Sequence, residues 1–399
     1  MRICFVTGEY PPMQGGVGDC THQLGRALIK LGHQVTVVTS SKAAATSTPA
    51  TLDEPVVCAT VENWNWTSWA HILEAVDAHQ SEVLHIQYQT AAYAMHPAIN
   101  FLPLRLRLGR SRPLLLITYH DLRVPYLFPK AGALRPWITL LPARWSDGVI
   151  ATNAADHEHL RQAHLGNVLR LIPIGSNIRP QPPAGYDRAS WRARLGVSAD
   201  DVLLCYFGFL NESKGGETLF RSLAELVRRG RKAKVLMIGG QVGDSDPTNT
   251  AYFEQVKALS SELGLTDRVL WTGYTPAEEV SANFLAADIC VLPYRDGVSF
   301  RRGSFMAALA HGLPIVSTQP QMPIPALVDG DNIVLIPAED PQAAADALER
   351  LISAPALRAR LASGALDLAK SFTWERIAAQ TSQLYRELTG NPSPEPGVR

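Results

Sequence analysis

The chain holds no apolar run near the ~20 residues a helix needs to cross a bilayer, so a spanning segment is not expected. Its opening, MRICFVTGEYPP, stays apolar for only about six residues before a Gly/Pro turn, too few for a secretory leader. Cysteine is scarce. Cys4, Cys20, Cys58, Cys205 and Cys290 are scattered, with no Cys-x-x-Cys pair and no His-rich cluster beside them. That usage suits reduced thiols better than a disulfide frame or a zinc site. An excess of one charge is missing too: the formal net charge is +0, and nothing in the balance calls for nucleic acid as a partner. Together these absences lead to the expectation of a cytoplasmic protein.

What is present is enough for two cores. A length of 399 residues exceeds one ordinary core and suggests two domains of about 150 to 200 residues. Short β-branched runs alternate with longer helical patterns, which predicts parallel strands joined by crossover helices. Strands are expected at 2–7, 34–39, 83–87, 114–118, 148–151 and 169–172. A Gly-rich loop with Gly15, Gly16 and Gly18 follows the first of them. The pattern restarts at 202–207, with further strands at 234–238, 268–271, 289–293, 313–317 and 333–336. The expected fold is therefore two facing Rossmann-like, doubly wound α/β domains, 1–178 and 201–371, with a deep cleft between them. Residues 179–200, Pro-rich and then charged, read as a linker. An amphipathic helix is expected at 372–389, carrying Trp374, Ile377, Leu384 and Tyr385 on one face, and 390–399 read as a disordered tail.

The densest chemistry lies between Asp288 and Thr318, DICVLPYRDGVSFRRGSFMAALAHGLPIVST. A strand gives way to a loop with Arg295, Asp296, Arg301 and Arg302. Ser304 then reads as the N-cap of a short helix that Gly312 closes. Two guanidiniums at a helix N-terminus suit a phosphate-bearing anion, and a solvated basic turn is the plainer alternative. Gly15, Gly16 and Gly18 let backbone approach a ligand and leave amides free at a helix N-terminus, or else make a tight turn. Their spacing is not the dinucleotide fingerprint, so a nicotinamide enzyme is disfavoured. Asp244 and Asp246 have an Asp-x-Asp spacing but sit in a polar loop, and no metal is expected there. Arg105, Arg107, Arg110 and Arg112 alternate with leucines on one face, fit either for solvent or for peripheral contact with the inner face of an anionic membrane.

Several stretches, in order along the chain, resemble one family, the retaining nucleotide-sugar glycosyltransferases of family four. They are "GGVGD…LGRALIKLGHQVTVVT", "HIQYQT", "ITYHD", "FGFLNESKGGETL", "VLWTGYTPAEEV", "ADICVLPY", "AALAHGLP" and "FTWERIAAQTSQLYREL". The resemblance implies the GT-B fold and a metal-independent transfer from a nucleotide-diphosphate sugar to a glycan, lipid or small-molecule acceptor, with no further cofactor. It implies Lys214 on the leaving diphosphate and His120 on the donor sugar. With Arg302, which the basic turn supplies, these are the candidate catalytic residues. Gly15, Gly16, Gly18, Phe209, Gly273, Tyr274, Asp296, Ser299, Phe300, Arg301, Gly303 and Ser304 are the candidate contacts for substrate. The chain departs from the family's wording in three places. Phe209 stands where an arginine is usual, and Ser299 and Ala307 stand where two carboxylates are usual. A catalytically weakened nucleotide-sugar binder is therefore the alternative.

Overall fold

The structure, a computed structural model, describes residues 1–13, 15–44, 53–109, 112–122, 134–239 and 247–390, with only the backbone of 135 and 247–249. Arg110, Asp244, Asp246 and the expected tail beyond residue 390 lie outside the described residues. The chain forms two compact units. The first is Met1–Gly175 with the C-terminal segment from Thr373, and the second is Ser176–Phe372.

The first unit runs β1 (Arg2–Thr7), α1 (Gly16–Lys30), β2 (Gln34–Ser40), β3 (Val56–Val61), α2 (Ser68–Ala78), β4 (Val83–Tyr88), α3 (Ala98–Arg107), β5 (Leu114–Tyr119), α4 (Arg135–Trp145), β6 (Gly148–Ala151), α5 (Ala154–Gln162) and β7 (Val168–Leu171). Its sheet has the order β3-β2-β1-β4-β5-β6-β7, and every pair is parallel. The central strands are buried almost throughout, which is why VLHIQY and LLLITY are mostly apolar.

The second unit opens with α6 (Arg188–Arg194), inside the stretch expected to be linker. Arg192 there is buried and bonds to Ala286 O, Asp201 O and the Asp288 carboxylate, so the segment folds with the second unit. It continues with β8 (Val202–Phe207), α7 (Gly216–Arg228), β9 (Ala233–Ile238), α8 (Pro247–Glu262), β10 (Val269–Trp271), α9 (Ala277–Ala286), β11 (Ile289–Leu292), α10 (Gly303–Ala310), β12 (Ile315–Thr318), β13 (Val334–Ile336), α11 (Pro341–Ser353) and α12 (Pro355–Ala369). Its parallel sheet has the order β10-β9-β8-β11-β12-β13.

The last helix, α13 (Trp374–Thr389), returns to the first unit and packs along α1. Two histidines fasten it. His85 Nδ1 shares a 2.6 Å hydrogen bond with the Tyr385 hydroxyl, and His33 Nε2 shares one of 2.8 Å with Ser382. In both sheets strand order reverses direction beside the first strand, and ligands in such sheets gather at the carboxyl ends there. The candidate residues follow those ends: Glu9 after β1, His120 after β5, Lys214 after β8 and Arg302 after β11.

Candidate active site

In the second unit the loops after β8 and β11 are stitched together. Gly215 has φ +70°, and a Cβ on it would come 1.9 Å from Pro293 O, so only glycine lets the first loop lie on the second. Arg295 N donates to Ser213 O at 3.0 Å, and its guanidinium pairs with Glu212 at 2.7 Å. The result brings Lys214 and Arg302 to one aromatic ring. Lys214 Nζ lies 5.2 Å from the centre of the Tyr294 ring, and Arg302 Cζ lies 4.5 Å from it.

This cluster carries more positive than negative charge. Asp296 is its acid, ion-paired with Arg302 and, at 3.3 Å, with Arg301. Burial and then the Arg302 guanidinium push the Lys214 amine down to about 7; Asp296 opposes this and Arg301 adds to it. A cation so disfavoured gains much from a nearby anion. Arg302 Nε and Ser299 Oγ are both buried without a hydrogen-bond partner among the described residues, and buried polar atoms of that kind call for a missing one.

The helix start differs from expectation. Arg302, not Ser304, is the N-cap of α10, and no side chain caps the helix. The Ser304 hydroxyl instead shares a 2.6 Å hydrogen bond with the Tyr294 hydroxyl, because Ser304 lies one residue inside the helix and faces the core. Burial pushes the Tyr294 hydroxyl up, so it stays protonated. The first amides of α10 therefore remain open to an anion beside two cations.

Other second-unit candidates divide. Phe209 is half-buried in the loop after β8 and leaves the loop with Lys214 as its cation. Gly273 pairs with Gly239 in an isolated bridge at the ends of β9 and β10, and Tyr274 beside it is 70% exposed. Phe300 turns to Phe305 and Phe372, with ring centres 6.0 and 4.5 Å away. Gly303 opens α10, and Ala307 is buried in that helix with no polar group to offer.

In the first unit, His120 stands just past β5. Its Nε2 shares a 2.8 Å hydrogen bond with Gln87 Oε1, and burial pushes it down to about 4, so it is a neutral imidazole at pH 7. Gln87 is buried at the end of β4, and its amide nitrogen has no partner among the described residues. Both border a small cavity with Thr118, Thr152, Trp374 and Thr381. Gln87 was not singled out from the sequence; the parallel register of β4 with β5 places it there.

The glycine loop holds a correction. Its amides are not free: Glu9 Oε1 accepts from Val17 N at 3.0 Å and Gly18 N at 3.3 Å. Gly15 and Gly18 are needed for the close approach of Glu9, since a Cβ on either would reach within 2.1 Å of its carboxyl or 2.8 Å of its carbonyl oxygen. Gly16 has open space around it. Burial raises the Glu9 carboxyl and its backbone hydrogen bonds oppose that, while burial and the Glu9 charge push Asp19 up to about 6. Glu9 was missed in the sequence, although a carboxylate directly after a strand and before a glycine loop is a usable signal.

Among the described residues no group of three or more His, Cys, Asp or Glu could hold a metal ion. Lys214 and the arginines are instead the groups arranged for an anion.

The family profile described as Glycosyltransferase Family 4 matches residues 14–178, and that described as Glycosyl transferases group 1 matches residues 187–367. D-inositol 3-phosphate glycosyltransferase of Corynebacterium efficiens is 33% identical over 227 residues, 55% of this chain and 51% of the relative. The same-named protein of Corynebacterium urealyticum is 31% identical over 260 residues, 63% of this chain and 59% of the relative. The chain thus spans about half the length of the curated relatives it matches. Sucrose-phosphate synthase of Thermosynechococcus elongatus superposes with a TM-score of 0.73 at 25% identity, covering 98% of this chain and 99% of that one. Anabaena HepE in complex with UDP superposes at 0.75 with 20% identity, over 97% and 100%, which is a likeness of fold.

Proposed function

Because this chain belongs to the family-four, group 1 glycosyltransferases, we propose that it moves a sugar from a nucleotide-diphosphate donor to an acceptor, with retention and without a metal. The reading rests above all on the Lys214–Arg302 pair around Tyr294. As the bond from the anomeric carbon to the diphosphate breaks, its electron pair passes to a β-phosphate oxygen. Fixed cations there lower the barrier. The acceptor hydroxyl adds to the same face of the sugar, and its proton passes to the departing phosphate. That route suits a cluster with cations and no evident base. The amides at the start of α10 would share the phosphate. In the first unit, neutral His120 offers a hydrogen bond to a sugar hydroxyl.

A second reading keeps binding and loses turnover, and one observation favours it. Ala307 is buried and apolar where the family usually has a carboxylate. Incubation with a panel of nucleotide-diphosphate sugars, with and without EDTA, separates the two. The first reading expects release of nucleoside diphosphate in EDTA and a product of retained anomeric configuration by NMR. Thermal stabilisation by the nucleotide without any turnover would favour the second. No stabilisation by any nucleoside diphosphate would overturn both.

A further inference from the structure

The outer faces of α3 and α4 carry an apolar surface that donor binding does not use. The two helices lie side by side and point the same way. Asn100 Nδ2 donates to Ile138 O at 2.9 Å and Arg107 Nε to Trp145 O at 2.7 Å, each reaching 38 residues along the chain. Their outward residues include Leu108, 76% exposed, and Trp137, 49% exposed, with Leu134, 60% exposed, just before α4. Trp66, also 49% exposed, lies at the start of α3, its ring centre 5.9 Å from Phe101 and 5.5 Å from His96. Large side chains left half in water along one pair of helices, Leu134, Trp137 and Trp66 at its start and Leu108 at its far end, mark an interaction surface rather than chance exposure.

Charge identifies the partner. Residues 97–146 hold eight Arg and Lys against one acid, Asp121, in a chain whose formal net charge is +0, so the rest of the chain is net acidic. Arg110, Arg123 and Lys130, and the side chain of Arg135, lie outside the described residues. Among the described ones, Arg107 and Arg112 share Asp147, whereas Arg105 and Arg144 are exposed and make no ion pair. Neither α3 nor α4 contains a carboxylate. Indole rings suit the boundary between water and acyl chains, where one edge is wet and the other apolar. Unpaired arginines on the same two helices suit lipid phosphate. Among the described residues no helix is long and apolar enough to cross a membrane. We propose that this α3–α4 face rests on the surface of a bilayer containing anionic phospholipid. The proposal stands independently of the glycosyl-transfer reading, because it is tested without substrate.

The test is co-sedimentation of the full chain with vesicles of phosphatidylcholine alone and of phosphatidylcholine mixed with phosphatidylglycerol. Binding is expected to the anionic vesicles, with little to the neutral ones, and salt should weaken it. Trp137→Ser with Leu108→Ser, and separately Arg105→Glu with Arg144→Glu, should each lower that binding by about tenfold or more at unchanged melting temperature. Arg221→Glu, an exposed change on α7, should bind like the parent. Equal binding to both vesicle types, no binding, or parent-like binding by both double variants would overturn the proposal. So would a parent that self-associates without lipid and becomes monomeric in the double variants, since the face would then join two copies of this chain.

Discussion

The Glu9 carboxyl occupies space that only glycine at position 15 leaves open: a Cβ on Gly15 would come within 2.1 Å of it. The sequence suggests a bare, anion-ready helix start, and the fold closes it with a carboxylate. Gly15→Ala should displace Glu9 and leave the amides of Val17 and Gly18 uncapped. A loss of about 1–2 kcal/mol in urea denaturation is expected, the scale of a lost helix cap. Parent-like stability would mean that Glu9 does not serve as the cap.

Lys214 should give donor affinity a pH dependence. Its amine is pushed down to about 7, so the free site loses this cation as pH rises through that value, and a bound diphosphate restores the proton. Nucleoside-diphosphate affinity should fall between about pH 6.5 and pH 8.5, with proton uptake visible when calorimetry is repeated in different buffers. Lys214→Arg, always charged, should flatten that fall and so separate the lysine from the titration of the phosphate itself. Identical pH profiles for the two proteins would remove Lys214 from the diphosphate.

The arginine pair should prove unequal. Arg302 lies against Tyr294 with its Nε unpartnered, so Arg302→Ala should weaken diphosphate binding by about tenfold or more, the scale of one charged hydrogen bond. Arg301→Ala should cost less. Phe209→Arg on the Arg302→Ala background should recover part of the loss, because it returns a cation to the loop that holds Lys214. If both single variants bind like the parent, the pair forms only a structural turn.

Acid should loosen the first unit. Burial is the first cause holding His85 at about 3 and His33 and His120 at about 4, against about 6.5 in an unfolded chain. The native state therefore binds fewer protons than the unfolded one below about pH 6.5. Stability should be level above about pH 7 and fall steadily from there toward about pH 4. His85→Gln should make that slope shallower in melting experiments. A level melting temperature down to pH 4.5 in the parent would show that these histidines are not held neutral.

Much of the fold was legible because buried parallel strands leave strong marks. The runs at Arg2–Thr7, Gly148–Ala151 and Val202–Phe207 fall where their β-branched and apolar residues predict. Val56–Val61 escaped notice. It is an edge strand of mixed burial, and Cys58 and Ala59 at its centre carry little strand preference. Arg188–Arg194 also escaped, because its short helix is held by the charged Arg192–Asp288 contact rather than by an apolar face. In the site, Lys214 and Arg302 could be named from sequence, but their common partner Tyr294 could not. Ser304 was assigned the wrong bond, since a serine at a helix start looks the same whether it caps the helix or faces the core. Gln87 and Glu9 act through contacts that only the folded sheet creates.

The most direct test of the whole account is turnover of a nucleotide-diphosphate sugar, at saturating donor, by the parent and by Lys214→Ala. The parent should release nucleoside diphosphate and pass the sugar to an acceptor or to water. Lys214→Ala should melt like the parent yet turn over about a hundredfold more slowly, the scale for losing one group that stabilises developing charge. A Lys214→Ala protein that turns over like the parent would contradict the assignment of the leaving diphosphate to this cluster.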